Sequence, residues 1–284
     1  MTEYARDYTL EEQLASRIAK VFKPDDELLV SGVSYCTTAA TYLAKKLRAP
    51  GLAVWAPAGG RGSIISPRFL PVSPREIDAE AVERRVPMKE LLSVVNAGRW
   101  CIFMTPAQID KFGNTNISLI GDIKNPKAVL VASRGLPDNT TNARNIYYHV
   151  PRHSTRVFVD KVDFISGVGY VSIRKRGEVK FGAVSLVFSD LGVFGFDEET
   201  KRMCLQSVHH GVTVEQVMQN TGFELAIPEQ VPETEPPTEE EVRLIREEID
   251  PLGLRRLDHA GGPEAPALWA DIRQREKDLL LGKS

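Results

Sequence analysis

The order of apolar runs in the first 55 residues constrains the fold of this chain more than any other feature. Residues 27–31 (ELLVS) predict a short strand, and a helix follows from Thr37 or Thr38 to Leu47. An Ala-Pro-Gly turn ends that helix, and residues 52–55 (LAVW) predict the next strand. A strand, a helix and a strand in this order favour a parallel sheet with right-handed crossovers. The sequence therefore predicts an α/β fold.

The rest of the chain carries the same kinds of signal. Capping boxes, in which a Thr is followed three residues later by Glu or Gln, mark three helix starts, at Thr9, Thr213 and Thr238. The helices predicted are 10–22, 88–97, 214–221, 239–249 and 267–281. The strands predicted are 100–104, 128–132, 156–160 and 184–189, followed by a hairpin within 192–208.

Composition limits the possible functions. The 284 residues carry a formal net charge of −2 with no basic run, which argues against a nucleic-acid partner. No apolar run reaches the roughly 18 residues that span a bilayer, and the acidic start MTEYARDYTLEEQ does not resemble a secretory signal. Three scattered cysteines and five histidines without ligand spacing predict a cytoplasmic protein without a metal site.

The segment PEQVPETEPPT at residues 228–238 has the composition of a linker. We therefore expect an α/β domain at residues 1–227, and a linker, a helix and a tail at residues 228–284.

Two polar stretches follow predicted strands. Residues 105–121 (TPAQIDKFGNTNISLIG) place Gln108, Asp110, Asn114 and Asn116 after the strand 100–104, at the edge of the sheet where α/β folds bind ligands. The alternative is an Asx-rich turn that satisfies its own backbone. The strand 52–55 leads instead into a glycine turn with a cation and no acid, and no Asp or Glu occurs from residue 28 to residue 75.

Longer motifs carry a resemblance. The segment QIDKFGNTN at 108–116 resembles the QxDxxGNxN segment of class I CoA-transferase β subunits. FDEETKRM at 196–203, NTGF at 220–223 and LIREEIDP at 244–251 resemble segments of the glutaconate CoA-transferase β subunit. The resemblance implies the CoA-transferase fold, an open and mainly parallel sheet with helices on both faces, and an α subunit on a separate chain.

The chain departs from this family at the nucleophile. The family's β subunit supplies a glutamate that forms a glutamyl-CoA thioester in a turn after the second strand. Alignment on Ala49-Pro50 puts Pro57 at the glutamate position and Gly59 at the following glycine, and a shift by one residue gives Ala58 and Gly60. Neither proline nor alanine has a nucleophilic group. The resemblance therefore argues against transfer of CoA through this chain.

A branch of the fold without that glutamate resembles the chain at further positions. SRGLPDNT at 133–140 is similar to the RGxPxNT loop, and VDFISGVGY at 162–170 to the VDxxSGxGY segment, of the steroid ring-cleaving hydrolases. In that branch the catalytic carboxylate is on the α subunit. The resemblance implies hydrolytic C–C cleavage of a ring ketone attached to CoA.

Arg134 is the main catalytic candidate because it is expected to end a buried strand, where its guanidinium could hold a carboxylate or enolate oxygen. The alternative is a structural ion pair with Asp138 or Asp163. Asn116 is a second catalytic candidate, as a donor to a polarised carbonyl. The predicted substrate- or CoA-binding residues are Gly59, Gly60, Arg61, Gln108, Asn114, Gly135 and Asn139.

Three further residues have structural interpretations. His149 and His153 could act as acid or base but are expected to be surface residues before a strand, and Cys36 is expected to be a small buried residue.

The resulting hypothesis is the β subunit of a heteromeric hydrolase, with CoA present only as part of the substrate and no resident cofactor. Its partners would be an α subunit, as an α2β2 heterotetramer, and an acyl-CoA. Two alternatives remain open: a CoA-transferase whose nucleophile lies elsewhere, and a non-catalytic stabilising subunit.

Overall fold

A computed structural model of the chain describes residues 3–30, 34–55, 93, 97–170, 177, 182 and 184–282. The described residues fall into two compact units, one within Met1–Leu91 and Glu235–Ser284 and the other within Leu92–Thr234. The domain boundary after residue 227 stays a prediction. The proline-rich segment around it is tied into the fold, because Glu233 bridges to Val208 and Thr238 bridges to Tyr4.

The first unit contains two helices that pack against each other and a parallel strand pair. The predicted capping box is present at the start of the first helix, where Thr9 and Glu12 bond reciprocally. The elements are α1 (Leu10–Ala19), β1 (Glu27–Val30), α2 (Tyr35–Leu47), β2 (Ala53–Trp55), α5 (Glu239–Leu244) with a π-helical extension (Ile245–Ile249), a 3-10 helix (Leu254–Asp258) and α6 (Glu264–Leu280).

The start of α2 differs from the prediction. The helix begins at Tyr35, capped by Ser34, rather than at Thr37 or Thr38. Asp258 explains the earlier start, because its carboxylate accepts from the Ser34 hydroxyl (2.8 Å) and from the backbone N–H of Cys36 (2.8 Å). A second cap more than 200 residues away has no local sequence signal.

Five strands of the second unit lie side by side in the order β11-β10-β9-β8-β3, and two further strand pairs, β4–β5 and β6–β7, are separate from them. β3, β8 and β9 are parallel, whereas β10 and β11 continue the sheet antiparallel. The elements are β3 (Trp100–Met104), β4 (Gln108–Ile109), β5 (Thr115–Asn116), β6 (Leu119–Asp122), β7 (Asn125–Val129), α3 (Leu136–Asn142), β8 (Asn145–Val150), β9 (Val184–Ser189), β10 (Gly192–Phe196), β11 (Met203–Val208) and α4 (Val214–Asn220).

Two predicted strands of this unit are wrong. Residues 128–132 do not form a buried parallel strand, because β7 ends at Val129, pairs antiparallel with β6 alone and is almost wholly exposed. Residues 156–160 form only isolated bridges at Phe158 and Val159. In both cases the apolar composition predicts a strand but does not fix its pairing partner.

The helix predicted at 88–97 and the segment 60–87 lie outside the described residues, apart from Ser93 and Ala97. Within the described part of the chain, no helix has the length and apolar composition needed to cross a bilayer. The described side chains also contain no cluster of three or more His, Cys, Asp or Glu placed to hold a metal ion.

Candidate active site

The candidate site lies at the carboxyl ends of β3 and β8. The two strands pair in parallel, with Met104 opposite Tyr148, so their ends meet at one edge of the sheet. Thr105 follows β3, and its hydroxyl oxygen is buried without a hydrogen-bond partner among the described residues. A cavity of about 240 Å³ at this edge is lined by Pro106, Val150, Pro151, Arg152 and Val157. Its size suits a fragment of a substrate rather than a whole acyl-CoA.

The polar segment after β3 folds back as the small hairpin β4–β5. Gly113 makes the turn with a φ of +74°, and a Cβ there would lie 2.9 Å from the ring of Phe196. The buried Asp110 carboxylate accepts from the backbone N–H of Phe112 (2.9 Å) and of Asn114 (3.0 Å). The Asn114 amide nitrogen also donates to Asp110 (2.8 Å). The backbone N–H groups of this turn are bonded within the turn itself. This agrees with the alternative interpretation of the segment as a structural, Asx-rich turn.

The other face of Asn114 is also occupied. Its side-chain oxygen accepts from the backbone N–H of Gly169 at 3.0 Å. The close approach needs the glycine at 169, because a Cβ on residue 169 would lie 2.2 Å from the carbonyl oxygen of Phe112. The VDxxSGxGY-like segment at 162–170 is therefore packed directly on the turn at 110–114.

Asn116 is completely buried and acts as a hydrogen-bonding hub. Its amide nitrogen donates to Gln108 Oε1 (2.7 Å) and to the carbonyl of Leu119 (2.6 Å), and its oxygen accepts from the backbone N–H of Ser118 (2.9 Å). Both amide hydrogens are used within the fold, so none is left for a substrate carbonyl. Gln108 in turn donates to Asp163 at 3.0 Å. The geometry disfavours direct substrate contact by Asn116.

Three serines extend this hub to the base of the β6–β7 hairpin. The Ser118 hydroxyl bonds Ser133 (2.9 Å) and Ser166 (2.7 Å), and the backbone N–H of Leu130 donates to the Ser118 carbonyl (2.9 Å). Ser118 precedes the hairpin and Ser133 follows it, so this serine clamp joins the two ends of the hairpin. Sequence reasoning missed these serines, since single serines have no diagnostic spacing.

Arg134 directly follows the clamp. It lies in an exposed turn rather than at the end of a buried strand, which corrects the predicted setting. Its φ is +46°, and Ala132 also has a positive φ of 59°. Such conformations are uncommon for residues with a Cβ and concentrate at functional sites.

The predicted structural pairing of Arg134 is not seen. Asp163 accepts instead from Gln108 and from the backbone N–H of Gly121 (2.9 Å). Among the described residues Arg134 has no hydrogen-bond or ion-pair partner. Its guanidinium is therefore available to an anion that the chain itself does not supply.

Helix α3 links the Arg134 turn to the sheet edge. Gly135 is the N-cap residue, and the half-buried Asn139 lies one turn later. Asn139 Nδ2 lies 3.9 Å from Met104 Sδ, at the end of β3. The structure thus places Arg134, Asn139 and the end of β3 in one neighbourhood.

The turn residues Pro57, Gly59, Gly60 and Arg61 lie outside the described residues.

The histidines predicted at the surface are buried. His153 stacks on Phe158 with ring centroids 3.6 Å apart, and its ring nitrogens bond Ser189 (2.9 Å) and Thr221 (3.0 Å). Burial lowers the pKa of His153 to about 3, so the ring is neutral at pH 7. His149 is fully buried on β8. The surface interpretation is wrong because His149 lies within β8 of the main sheet and His153 packs on Phe158 just after that strand.

The start of α2 follows a strand, and helix N-termini in such positions attract anions. The carboxylate of Asp258 already occupies it. Cys36 at this helix start is a small buried residue, as predicted, and burial raises the pKa of its thiol. Neither group is placed for chemistry.

The chain belongs to the CoA-transferase family: the family model "Coenzyme A transferase" matches residues 11–220. The IpdB chain of the cholesterol ring-cleaving hydrolase of Rhodococcus jostii (strain RHA1) is 34% identical over 257 residues, which are 90% of this chain and 98% of that protein. A glutaconate CoA-transferase subunit of Acidaminococcus fermentans is 36% identical over 160 residues, 55% of this chain and 59% of that one.

Solved structures agree with this assignment. Rhodococcus jostii RHA1 IpdAB superposes with a TM-score of 0.77 at 33% identity, covering 90% of this chain and 100% of that one. Glutaconate coenzyme A-transferase from Acidaminococcus fermentans gives a TM-score of 0.77 at 30% identity, covering 88% and 97%. The predicted CoA-transferase fold and family are confirmed, and the chain is an enzyme subunit of this α/β class.

Proposed function

We propose that this chain is the β subunit of a heteromeric hydrolase that cleaves a C–C bond in an alicyclic, steroid-derived ring ketone attached to CoA. The observation that carries the proposal is Arg134, an exposed cation with no counterion among the described residues. The relatives support the assignment, because the ring-cleaving hydrolase subunit matches 90% of the chain.

The sequence around the family's nucleophile supports hydrolysis rather than transfer. Pro57 stands at the glutamate position, and residues 28–75 contain no acid that a small shift of alignment could place there. Without a carboxylate this chain has no group to form a glutamyl-CoA thioester. The catalytic carboxylate is therefore assigned to the α subunit.

In the proposed reaction the α-subunit carboxylate activates a water, whose oxygen adds to a ring carbonyl. The adjacent C–C bond breaks, its electron pair moves to an enolate oxygen, and a proton then returns to carbon. One water is consumed and one carboxylate is formed. Arg134 stabilises the enolate or the neighbouring carboxylate through bidentate hydrogen bonds. An unpaired guanidinium suits this role because no internal ion pair has to break first.

Asn116 takes a positioning role in this proposal instead of the catalytic role predicted from sequence. It fixes the backbone of Ser118, and Ser118 holds Ser133, the residue before Arg134. These hydrogen bonds hold the backbone around Arg134 in its observed conformation, where positive φ angles are otherwise unfavourable. Gln108 supports Asn116 from the opposite side.

The remaining assignments follow from the heteromeric form. CoA enters only as part of the substrate, with Arg61 and the glycines at 59 and 60 proposed to bind its pyrophosphate. Gly135 and Asn139 border the acyl group. Asn114 and Gln108 are proposed to shape the pocket through the fold rather than through direct contact. The assembly proposed is α2β2 in the cytoplasm.

Two other functions have support. Relatives named as subunits of 3-oxoadipate CoA-transferase and of glutaconate CoA-transferase favour CoA transfer with a nucleophile outside the usual position. A stabilising subunit without a catalytic group is the third possibility. Arg134→Ala separates the third from the others, since a scaffold would keep full turnover.

The test uses the purified αβ complex in two assays. A steroid-derived ring-diketone CoA thioester in ¹⁸O-labelled water should give a ring-opened acid with one labelled oxygen. Labelled acetyl-CoA with a free acid acceptor should give no CoA exchange. Efficient exchange without ring opening would establish the transferase instead.

A further inference from the structure

We propose that the cavity at the carboxyl ends of β3 and β8 binds one alicyclic ring of the acyl group, and that His153 is the positioning residue that fixes the wall of this cavity. The inference rests on the proposed function for the identity of the substrate, and it adds the part of the site that holds the ring. His153 is buried and does not line the cavity itself, so it acts through the residues on either side of it.

The lining of the cavity suits a hydrocarbon ring. Four of the five lining residues, Pro106, Val150, Pro151 and Val157, have side chains without a hydrogen-bonding group. The fifth, Arg152, can lay the apolar stem of its side chain along a ring while its charged end stays in water. The volume of about 240 Å³ is smaller than that of pockets that enclose a whole drug-sized ligand. The cavity therefore suits one ring of the substrate.

His153 anchors the segment 150–157, which supplies four of the five lining residues. Its backbone N–H donates to the Asp190 carboxylate at 2.7 Å. Its ring nitrogens bond the hydroxyls of Ser189 (2.9 Å), at the end of β9, and of Thr221 (3.0 Å), the C-cap residue of α4. The middle of the cavity wall is thus fastened to two other elements of the same unit.

The hydroxyl partners assign the state of the His153 ring. The Thr221 hydroxyl donates to the carbonyl of Val217 (2.8 Å), so it accepts from Nε2–H of His153. The Ser189 hydroxyl accepts from the backbone N–H of Leu191 (3.2 Å), so its own hydrogen is left for Nδ1. Both nitrogens of the neutral ring are satisfied by directional bonds, which fix the orientation of the ring. An apolar side chain could fill the same space but would not impose this orientation.

The far end of the wall is fastened separately. The carbonyl of Val157 accepts from the backbone N–H of Ile109 (2.7 Å), and the N–H of Val159 donates to the Ile109 carbonyl (3.0 Å). Between them, the fully buried Phe158 stacks on the His153 ring. Loss of the hydrogen bonds of the ring alone should therefore loosen the wall while the stacking and the link to β4 keep the unit folded.

The first experiment measures KM and kcat of the αβ complex for a steroid-derived ring-diketone CoA thioester. His153→Phe keeps the stacking on Phe158 but loses both ring hydrogen bonds. It should raise KM at least about tenfold and leave kcat within about threefold, because a ring held equally in the ground state and the transition state contributes to KM alone. His153→Gln, which keeps a donor for Thr221, should recover part of the loss.

The matched control is Ile146→Val, at the other end of β8 from the cavity. Ile146 is fully buried, so the variant lowers stability through packing without touching the wall. Its KM should equal that of the wild type. An equal rise in KM for Ile146→Val and His153→Phe would overturn the positioning role, since general loss of stability would then explain both.

A second experiment does not require turnover. Cyclohexanecarboxylate serves as a one-ring probe, and ligand-observed NMR measures its Kd for the αβ complex. Val157→Phe fills the cavity without changing His153, so it should raise this Kd at least about tenfold, as should His153→Phe. Ile146→Val should leave the Kd unchanged. A probe that binds wild type and Val157→Phe equally well would overturn the ring-binding cavity.

The two readouts separate this inference from the proposed function. A complex that opens no ring substrate, but binds the probe in a way that depends on Val157 and His153, contradicts only the function. A complex that opens the ring substrate with an unchanged KM in both Val157→Phe and His153→Phe contradicts only the inference.

Discussion

Two neighbouring segments of the second unit differ in how they use their polar groups. Residues 108–119 are mostly buried, and the amides of Asn114 and Asn116 bond to protein atoms. Residues 130–135 are mostly exposed, contain two positive φ angles and include Arg134, which has no ion-pair partner among the described residues. The difference places the more conspicuous motif, residues 108–119, in the framework, whereas the chemistry that we propose for this chain is assigned to the less conspicuous loop at 130–135.

The largest expected effect on stability is at Asn116. Asn116→Ala should lower the free energy of unfolding by about 3 kcal/mol, because it leaves the buried partners of its amide unsatisfied. Urea denaturation followed by circular dichroism measures the change. The control Asn125→Ala, on the exposed strand β7, should stay within about 0.5 kcal/mol. Equal stability of the two variants would remove the distinction between framework and loop.

Arg134 should show the opposite pattern. Arg134→Ala should reduce turnover of the complex on the order of a hundredfold, as for loss of a charge-stabilising group, while the melting temperature stays unchanged. Arg134→Lys should recover part of the activity, since a lysine keeps the charge but not the bidentate geometry. A variant that loses stability together with activity would place Arg134 in the framework instead.

Glycines sharpen the comparison between the same two segments. Gly113→Ala should cost about 2 kcal/mol or more, because the residue has a φ of +74° and the new Cβ would lie 2.9 Å from Phe196. Gly135→Ala should cost less than about 0.5 kcal/mol, since φ is −84° and the nearest atom, on Asn139, is 3.5 Å away. Thermal unfolding compares them, and similar losses would contradict the expected contrast.

A further effect depends on pH. The pKa of His153 is lowered to about 3 by burial, so below about pH 6.5 the unfolded chain takes up a proton that the folded chain does not. Stability should therefore fall as the pH falls from about 6.5 toward 3, by about 1.4 kcal/mol per unit from this group. The free energies of unfolding of wild type and His153→Gln are compared across pH 4.5–6.5, and their difference isolates the contribution of His153. A difference that does not change with pH would show that His153 titrates normally in the fold.

Local signals explain what was predictable from sequence. The capping boxes at Thr9, Thr213 and Thr238 are all present, because their interactions lie within one helical turn. The strands 100–104 and 184–189, predicted from their composition and length, are confirmed.

Long-range interactions explain what was not predictable. The cap of α2 comes from Asp258, and the serine clamp joins residues from three separate segments. The apolar run at 128–132 was misplaced because its composition matches that of a buried strand, whereas its β7 residues pair with β6 and are exposed. The site roles of Arg134 and Asn139 stay predictions, although the structure brings Asn139 to Met104 at the end of β3.

The central claim is that this chain shapes the site and stabilises charge but supplies no nucleophile. Its most direct test is intact-mass spectrometry of the chain, isolated from the αβ complex during turnover of a CoA thioester, with and without borohydride. We predict an unchanged mass in both samples. A mass increase by a CoA thioester, or reduction of a side-chain carboxyl to an alcohol by borohydride, would contradict the account.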